Sequence, residues 1–404
     1  MNRFRNLLGG VFAFLMASGI IGTVTGWIPN FINWITNEEP NVSWTVSPVQ
    51  GDAPLKVIAD TNASDPDGDT LKISWYIDDD LQTEGSNTSH EFNLKTPGQY
   101  RLRALVTDGR VIKAVERIQL VTVNRPVIPL ESMELDRPYS LEEPEKLVKL
   151  PTKIITNGYS LSLTAYQFSG AATTIRAFKE EKALNGKNGG NGRPGTNGQN
   201  GGQNPGERGK NGSNGTNGAI GKNSGLISIK AEVINVPLTI TNNAQHGGNG
   251  SIGGNGGDGG KGGKGKSSKD GIGIGGVGNC ERGPGRGGNG GVGGDGGKGG
   301  DAGAGGNAGG VTIEASEAKR LEIEALGGKA GQPGAGGTKG KGGNGGDEGN
   351  VTKYCRTKDR YGARGADGTA GIKGATANNG VNGQISVRIG SKTYKRENGS
   401  LSYP

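Results

Sequence analysis

Residues 186–201 read GKNGGNGRPGTNGQNG, with a glycine at every third position. The same period returns in five further runs, and together the six runs hold most of the chain's 82 glycines. A period of three is neither helical nor strand-like. It is the period of a polyproline-II type helix, which rises about 3.1 Å per residue. The six glycine runs, numbered 1 to 6 below, span 186–201, 206–221, 247–265, 288–309, 328–349 and 362–383.

Three kinds of segment are candidates for a sequence with this period. A helix of this type makes no internal hydrogen bonds, so an ordered run must bond to its neighbours. We favour a bundle of polyglycine-II helices within one chain, which predicts that residues 186–383 resist proteases. A collagen triple helix requires a trimer and usually far more proline than Pro194, Pro205 and Pro333. A disordered Gly/Asn-rich linker has no reason to keep a strict period.

Segments with the period of a β-strand precede, separate and follow the pairs of runs. The order is a strand pair, a run outward, a tip, and a run back, repeated three times. The predicted fold class is mainly β with irregular polyglycine-II: an N-terminal transmembrane helix, a β-sandwich, then a small β base carrying three hairpins of six polyglycine-II helices. The alternating segments are 161–165, 174–178, 226–231, 238–241, 311–315, 321–325 and 385–389.

The glycine pattern resembles known glycine-rich architectures. It is similar to the tip adhesins of certain phage tail fibres, to the N-terminal domain of Obg-type GTPases, with six such helices beside a β barrel, and to bacterial collagen-like proteins. The resemblance covers about half of the chain and lies in the pattern, not in an identifying motif. It therefore implies a fold and says little about function, and no GTPase domain follows here.

The N-terminus predicts export. Arg3 and Arg5 precede an apolar stretch from Leu7 to Ile28, long enough for a membrane-spanning helix. The positive end should stay in the cytoplasm, which places the bulk of the chain outside it, in the periplasm or at the cell surface. The alternative is a cleaved signal peptide with its cleavage site at Ala17–Gly19. Either interpretation exports the remainder.

Residues 41–123 predict a β-sandwich of short alternating segments spaced by turn residues. Ser64–Asp69, Trp75, Thr96–Tyr100 and Val106–Gly109 resemble a PKD domain, an immunoglobulin-like module of surface proteins. That resemblance implies a spacer or binding module. The turn after the tryptophan, Tyr76-Ile-Asp-Asp-Asp80, departs from the family's pattern.

Composition completes the predicted organisation. The segment 124–150 is rich in proline and glutamate and predicts a semi-extended linker. The formal net charge of +8 hides an asymmetry, because residues 38–150 balance to −8 and residues 186–383 to +9. A basic surface could attract phosphate, lipid headgroups or acidic glycans, and it also keeps a long bundle soluble. The predicted domains are 1–40 (anchor or signal segment), 41–123 (sandwich), 124–150 (linker) and 151–404 (glycine-rich bundle with its β base).

No set of residues predicts catalysis. Asp65, Asp67 and Asp69 are candidate calcium ligands, since hard cations take several oxygens, but Asp-Pro-Asp-Gly is also favourable turn chemistry. Gly260–Ser267 matches the phosphate-binding loop G-x-x-x-x-G-K-[ST] without the strand and helix that the motif needs. The two histidines, His90 and His246, have no evident nucleophile or ligand partner. We therefore expect no enzyme, no cofactor beyond that cation, and no specific nucleic-acid partner.

The two cysteines predict a disulfide. Cys280 lies between runs 3 and 4, and Cys355 lies between runs 5 and 6, so each falls in a hairpin tip. An even number of cysteines in an exported chain favours pairing. Free or intermolecular cysteines are the alternative, and a bond between these two requires the second and third hairpins to stand side by side.

Sequence complexity returns at the tips, which makes them the candidate binding surface. Arginine and tyrosine are common interface anchors. The sequence predicts an adhesin-like protein, anchored in the membrane, that presents the tips to an unknown protein or glycan, either as a monomer or within an appendage complex. The alternative is a purely structural component of a surface appendage or envelope complex. The candidate tip residues are Ile272, Ile274, Val277, Glu281, Arg282, Lys353, Tyr354, Arg356, Lys358, Arg360 and Tyr361.

Overall fold

The structure, a computed structural model, describes residues 37–109, 114–396 and 399–404. These residues form 24 β-strands and contain no helix, so the fold is mainly β. The fold class is thereby corrected, because no helix in the described part of the chain is long and apolar enough to cross a membrane. The stretch from Leu7 to Ile28 lies outside the described residues. The predicted membrane localisation, which rested on that helix, is corrected with it.

The first unit, which ends at Pro126, packs two sheets around one core. Trp75 is fully buried there between the sheets, with Phe92 from one sheet and Leu102 from the other. The result is a β-sandwich, compatible with an immunoglobulin-like module. Its strands are β1 (Asn41–Ser47), β2 (Gln50–Asp52), β3 (Leu55–Ser64), β4 (Lys72–Ile77), β5 (Asp80–Gly85), β6 (Ser89–Leu94), β7 (Gly98–Thr107) and β8 (Val115–Asn124), in the sheet orders β1-β3-β6 and β2-β8-β7-β4-β5.

The second unit starts at Val127, and its strands begin where a linker was predicted. Its strands up to the first glycine run are β9 (Val127–Pro129), β10 (Met133–Glu134), β11 (Tyr139–Leu150), β12 (Lys153–Ile155), β13 (Leu161–Gly170) and β14 (Thr173–Arg176). The others are β15 (Ile227–Ile234), β16 (Leu238–Thr241), β17 (Lys269–Ile272), β18 (Gly278–Arg282), β19 (Val311–Ala315), β20 (Glu317–Ala318), β21 (Leu321–Glu324), β22 (Ile385–Ile389), β23 (Lys392–Arg396) and β24 (Ser400–Tyr403).

The linker prediction for 124–150 is wrong, because β9 and β11 are strands of a sheet in the second unit. Proline had suggested a linker, since it cannot donate a hydrogen bond to a strand ladder. Pro144 is tolerated because the pairing of β11 with β13 shifts register between Glu143 and Leu147. The bulge leaves the proline outside the paired residues.

The base is a stack of coils, each of which contributes one strand to each of two sheets. One sheet has the order β23-β22-β19-β15-β13-β11-β9, and the short strand β20 also pairs with β15. The other sheet has the order β10-β12-β14-β16-β21-β24. Strands of successive coils pair in parallel, for example Leu163 opposite Ile229 and Ile175 opposite Ile240. The two strands of a predicted strand pair therefore lie in different sheets. Their alternate apolar side chains form one buried core, which includes Phe168, Ile313 and Ile323.

A glycine hairpin is inserted in each of three coils. Strands β14, β16 and β21 lead into runs 1, 3 and 5, and runs 2, 4 and 6 lead back into β15, β19 and β22. The two sheets thus continue as two rows of runs, an odd row of runs 1, 3 and 5 and an even row of runs 2, 4 and 6. Because parallel pairing fixes the order of the strands, it also fixes the order of the runs.

Backbone hydrogen bonds join the runs within and between the rows. Within the odd row, the N–H of Gly192 donates to the carbonyl of Asn255 in run 3 at 2.7 Å. Between the rows, the N–H of Gly257 donates to the carbonyl of Lys210 in run 2 at 2.8 Å. Both patterns repeat at every third residue. Runs 3 and 4 each bond to four other runs. Each of these two runs has a second glycine column, which includes Gly254 and Gly257 in run 3 and Gly290 and Gly293 in run 4.

Asparagine and aspartate side chains satisfy a further set of backbone N–H groups. The Oδ1 atoms of Asn185, Asn188 and Asn191 accept the N–H groups of residues 249, 252 and 255 in the next run of the odd row, at 2.8 to 3.2 Å. In the even row, Asp295 accepts the N–H of Thr369 at 2.7 Å, and that bond is the main reason that its pKa lies below the ordinary value. These side chains therefore cap the backbone of the next run in their row.

Candidate functional site at the hairpin tips

The second hairpin ends in a small β-hairpin of its own. Strands β17 and β18 pair antiparallel, and Gly275 and Gly276 between them have φ angles of 84° and 80°, a conformation that glycine adopts without strain. A Cβ at Gly278 would overlap the ring of Tyr354. The tip of the third hairpin therefore packs directly on the tip of the second. We refer to residues 266–287 as tip 2 and residues 350–361 as tip 3.

The predicted disulfide is confirmed. Cys280 of tip 2 is bonded to Cys355 of tip 3, and their Cα atoms are 4.8 Å apart. The bond closes a loop with a sequence separation of 75 residues. The second and third hairpins therefore stand side by side, as this pairing requires.

Polar contacts that the sequence did not suggest also join the two tips. The N–H of Ser268 donates to the carbonyl of Asn350 at 2.8 Å. Asp270 Oδ1 accepts the hydroxyl of Thr352 at 2.6 Å and the N–H of Tyr354 at 3.2 Å. These contacts continue the ladder of runs 3 and 5 into the tips. The available signal was the position of Asp270, which lies a multiple of three residues after Asn249, Asn255 and Asp258, the capping residues of run 3.

Apolar and aromatic side chains project from this platform. Ile272, Ile274 and Val277 at the end of tip 2 are 87%, 106% and 70% exposed. Tyr354 and Tyr361 of tip 3 are also exposed. The structure therefore gathers three bare aliphatic side chains and two phenol rings at one end of the second unit.

The charges around these side chains are mostly positive. Tips 2 and 3 together carry eight basic and three acidic side chains. Glu281 forms an ion pair with Lys269 at 2.8 Å, and Arg282 donates to the carbonyl of Ser267, so these two predicted contact residues are partly engaged within tip 2. The side chains of four cations of tip 3 form no ion pair with any described residue: Lys353, Arg356, Lys358 and Arg360.

A carboxylate hidden under tip 3 holds the loop that carries these cations. Glu348, which is buried, accepts the hydroxyl of Thr357 at 2.6 Å and the N–H groups of Lys358 and Asp359 at 3.0 and 3.1 Å. The Thr357 hydroxyl is the largest cause that lowers the pKa of Glu348 from its ordinary 4.5, and the backbone N–H groups act in the same direction. Sequence reasoning missed this residue, because a single glutamate at the end of a glycine run has no distinctive spacing.

Acid should therefore loosen tip 3. The pKa of Glu348 is depressed in the folded state, so its stabilising effect is present above pH 4.5 and is lost as the pH falls through the lower folded pKa. Amide protection factors of Lys358 and Asp359, measured between pH 6 and pH 3, should fall in that window. Glu348→Gln should show reduced protection at all pH values without this dependence. An unchanged pH profile in the variant would show that Glu348 does not control the loop.

The predicted calcium site is not supported. No group of three or more His, Cys, Asp or Glu residues in the described ranges is placed to hold a metal ion. Asp65 Oδ1 accepts the N–H groups of Asp67 and Asp69 at 2.9 and 3.1 Å, and Asp67 Oδ2 accepts the N–H of Glu38 at 2.7 Å. The aspartates therefore build the turn.

The remaining motifs have structural surroundings. The phosphate-loop match lies in run 3, where the N–H groups of Gly262 and Gly263 already donate to the carbonyls of Asn344 and Asn204. They are not free to bind a phosphate. His90 packs on Trp75 with ring centroids 5.8 Å apart, and burial lowers its pKa. His246 Nδ1 accepts the N–H of Lys329 at 2.8 Å.

Comparisons with known proteins find little. No protein-family model and no curated protein matches the chain. One similar solved structure is a chain described under the structural basis for the promiscuous specificity of the carbohydrate-binding modules from the β-sandwich superfamily. The two are 22% identical over 22% of this chain and 35% of that chain, with a TM-score of 0.20. A similarity this low carries no argument about function.

Proposed function

We propose that this chain is an adhesin-like binding protein that presents tips 2 and 3 to an acidic protein partner. The observation that carries the proposal is the exposure of Ile272, Ile274 and Val277 on tip 2, which is joined by the disulfide to a tip 3 whose cations form no ion pair with any described residue. Clustered, exposed apolar side chains mark interaction sites, and arginine and tyrosine are frequent interface anchors. The disulfide and the contacts of Asp270 fix this surface before binding, which reduces the entropy lost on association.

In this proposal the rest of the second unit is a support. The six runs are polyglycine-II helices, and a run of 20 residues would carry the tips roughly 60 Å from the base. Their continuous backbone ladders make such a projection rigid without an apolar core. The first unit is a PKD-like spacer or accessory module.

A protein partner suits the tips better than a polysaccharide. Tyrosine rings and cations would serve either partner, but three adjacent aliphatic side chains require an apolar pocket, which a polysaccharide offers poorly. The excess of basic over acidic side chains calls for an acidic rim around that pocket. If the affinity of the tips for their partner depended on charge alone, a polysaccharide would be favoured over a protein.

Removing the aliphatic end of tip 2 should weaken binding roughly a hundredfold, because burying each isoleucine contributes about 1.5 kcal/mol or more. The test uses the full chain as bait in a quantitative cross-linking capture, in parallel with Ile272→Ser/Ile274→Ser. The matched control is Ile372→Ser/Val381→Ser, which alters two isolated exposed residues of run 6, 67% and 69% exposed. A supporting result is a protein captured by the native chain and by the control but lost from the tip variant.

Two results would contradict the proposal. Equal capture by the native chain and the tip variant would place the interface elsewhere, and contacts along the sides of the runs would indicate a structural component of an appendage. Retention of a sulfated polysaccharide by native and tip-variant chains alike, without a protein partner, would show that charge alone governs binding.

A further inference from the structure

A cleft of about 590 Å³ lies where the odd row of runs joins its sheet. About the length of one glycine run separates it from the tips along the chain, and neither the disulfide nor the tip residues contribute to it. Its volume falls in the range of small-ligand sites. The cleft is lined by Arg176, Glu181, His246, Glu324, Asn379 and Asn382, together with Leu326 and Lys329.

The polar side chains of the cleft are held in fixed orientations by backbone N–H groups. The Oδ1 atoms of Asn379 and Asn382 accept the N–H groups of Ala330 and Gly327 at 2.8 and 2.9 Å. His246 Nδ1 accepts the N–H of Lys329 at 2.8 Å. These bonds orient the side chains, and the amide Nδ2 groups and the imidazole Nε2–H remain as donors. Neither amide nitrogen has a partner among the described residues.

Acceptors and apolar surface lie beside these donors. Glu324 has one oxygen bonded to Asn243 Nδ2 at 3.1 Å, and Glu181 has one oxygen paired with Arg176 at 3.1 Å, so each retains a second oxygen. Leu326 is 37% exposed. The cationic side chains, Arg176 and Lys329, balance the two glutamates, so the cleft has no net preference for an anion or a cation.

From this arrangement we infer that the cleft binds a neutral oligosaccharide. Ring hydroxyls both donate and accept, which matches preset donors interleaved with carboxylate oxygens. The apolar face of a sugar ring can lie against Leu326. Because the donors are already oriented, little side-chain entropy is lost on binding. This inference is independent of the function proposed for the tips, since it concerns other residues of the second unit.

The test measures binding of the full chain to cellotetraose, maltotetraose and N-acetylchitotetraose by titration calorimetry. Asn379→Asp and Asn382→Asp keep the oxygen that caps the backbone and replace the donor with an acceptor. Each should weaken binding about tenfold, the loss of one good hydrogen bond, and the double variant should abolish it. Asn188→Asp is the control, because Asn188 lies in run 1 outside the cleft and its Oδ1 accepts the N–H of Ile252 in run 3 in the same way.

Side-chain amide signals of the native protein provide a second measurement that does not depend on variants folding. The signals of Asn379 and Asn382 should shift on addition of the tetrasaccharide that binds, while that of Asn188 stays unchanged. Three results would overturn the inference: no binding of any of the three probes at millimolar concentration, equal binding by the double variant, or a preference for a sulfated tetrasaccharide over all three.

Discussion

Gly257→Ala should destabilise the second unit by about 3 kcal/mol or more, the upper part of the range for overpacking a rigid interior. Gly257 lies in run 3, between runs 1, 2, 4 and 5. A Cβ there would overlap the carbonyl group of Arg193. That carbonyl cannot move aside alone, because it accepts the N–H of Lys210 at 2.8 Å. Relief would require separating whole runs.

Gly190→Ala is the matched control, since Gly190 is a glycine of run 1 outside the every-third column. A Cβ at this position would meet only the Oγ of Ser213 at 3.6 Å. It should leave stability unchanged or raise it slightly, because alanine restricts the unfolded chain. Thermal unfolding of both variants, with limited proteolysis of 186–383, checks the pair. Similar melting temperatures for Gly257→Ala and the native chain would show that the runs are not in close contact.

The glycine spacing predicted the contacts between runs, because a bare column is needed wherever two backbones meet. The order of the runs could not be predicted in the same way. It follows from the parallel pairing of β13, β15, β19 and β22, whose partners are separated by whole glycine hairpins. Nothing in four similar alternating segments selects one partner over another. The arrangement of the runs in two rows therefore follows from the stacking of the coils and could not be read from the sequence.

The caps were visible in the sequence but were not predicted. Along run 1, asparagine directly precedes glycine at 185, 188, 191, 197 and 200, a three-residue repeat interrupted at Pro194. An Asn-Gly pair ordinarily indicates a tight turn. In this fold it places an amide oxygen beside the backbone N–H of the next run, at 2.8 Å for Asn185 and Asn249. A side chain that repeats with the backbone period is therefore part of the ladder.

At the tips, the sequence identified the residues that project and missed those that support them. Cys280, Cys355 and the exposed side chains were recognisable because they interrupt a monotonous pattern. Asp270 and Glu348 were not, because their roles depend on which backbone N–H groups the folded chain brings within reach. The linker prediction had a related cause, since composition alone does not show that Pro144 falls in a bulge.

Removing the disulfide should have the second large effect. In the chain-entropy model, a bond that closes a loop of 75 residues contributes about 4 kcal/mol. Cys280→Ser/Cys355→Ser should therefore lower the free energy of unfolding of the second unit by up to that amount. It should also weaken binding through the tips, because Tyr354 and the cations of tip 3 would lose their fixed position against tip 2. Denaturant unfolding and the capture assay measure the two effects separately.

Hydrogen exchange distinguishes a local effect of the disulfide at the tips from an effect on the whole second unit. Ser268 and Asp270 still join the tips when the cysteines are replaced, so the tips should separate only part of the time. Hydrogen exchange should then rise in β17, β18 and tip 3 and stay unchanged in β13 and β15 of the base. The single variants Cys280→Ser and Cys355→Ser, with the remaining thiol blocked, should behave like the double variant. A double variant as stable as the native chain, with unchanged exchange at the tips, would show that the backbone ladders alone hold the second and third hairpins together.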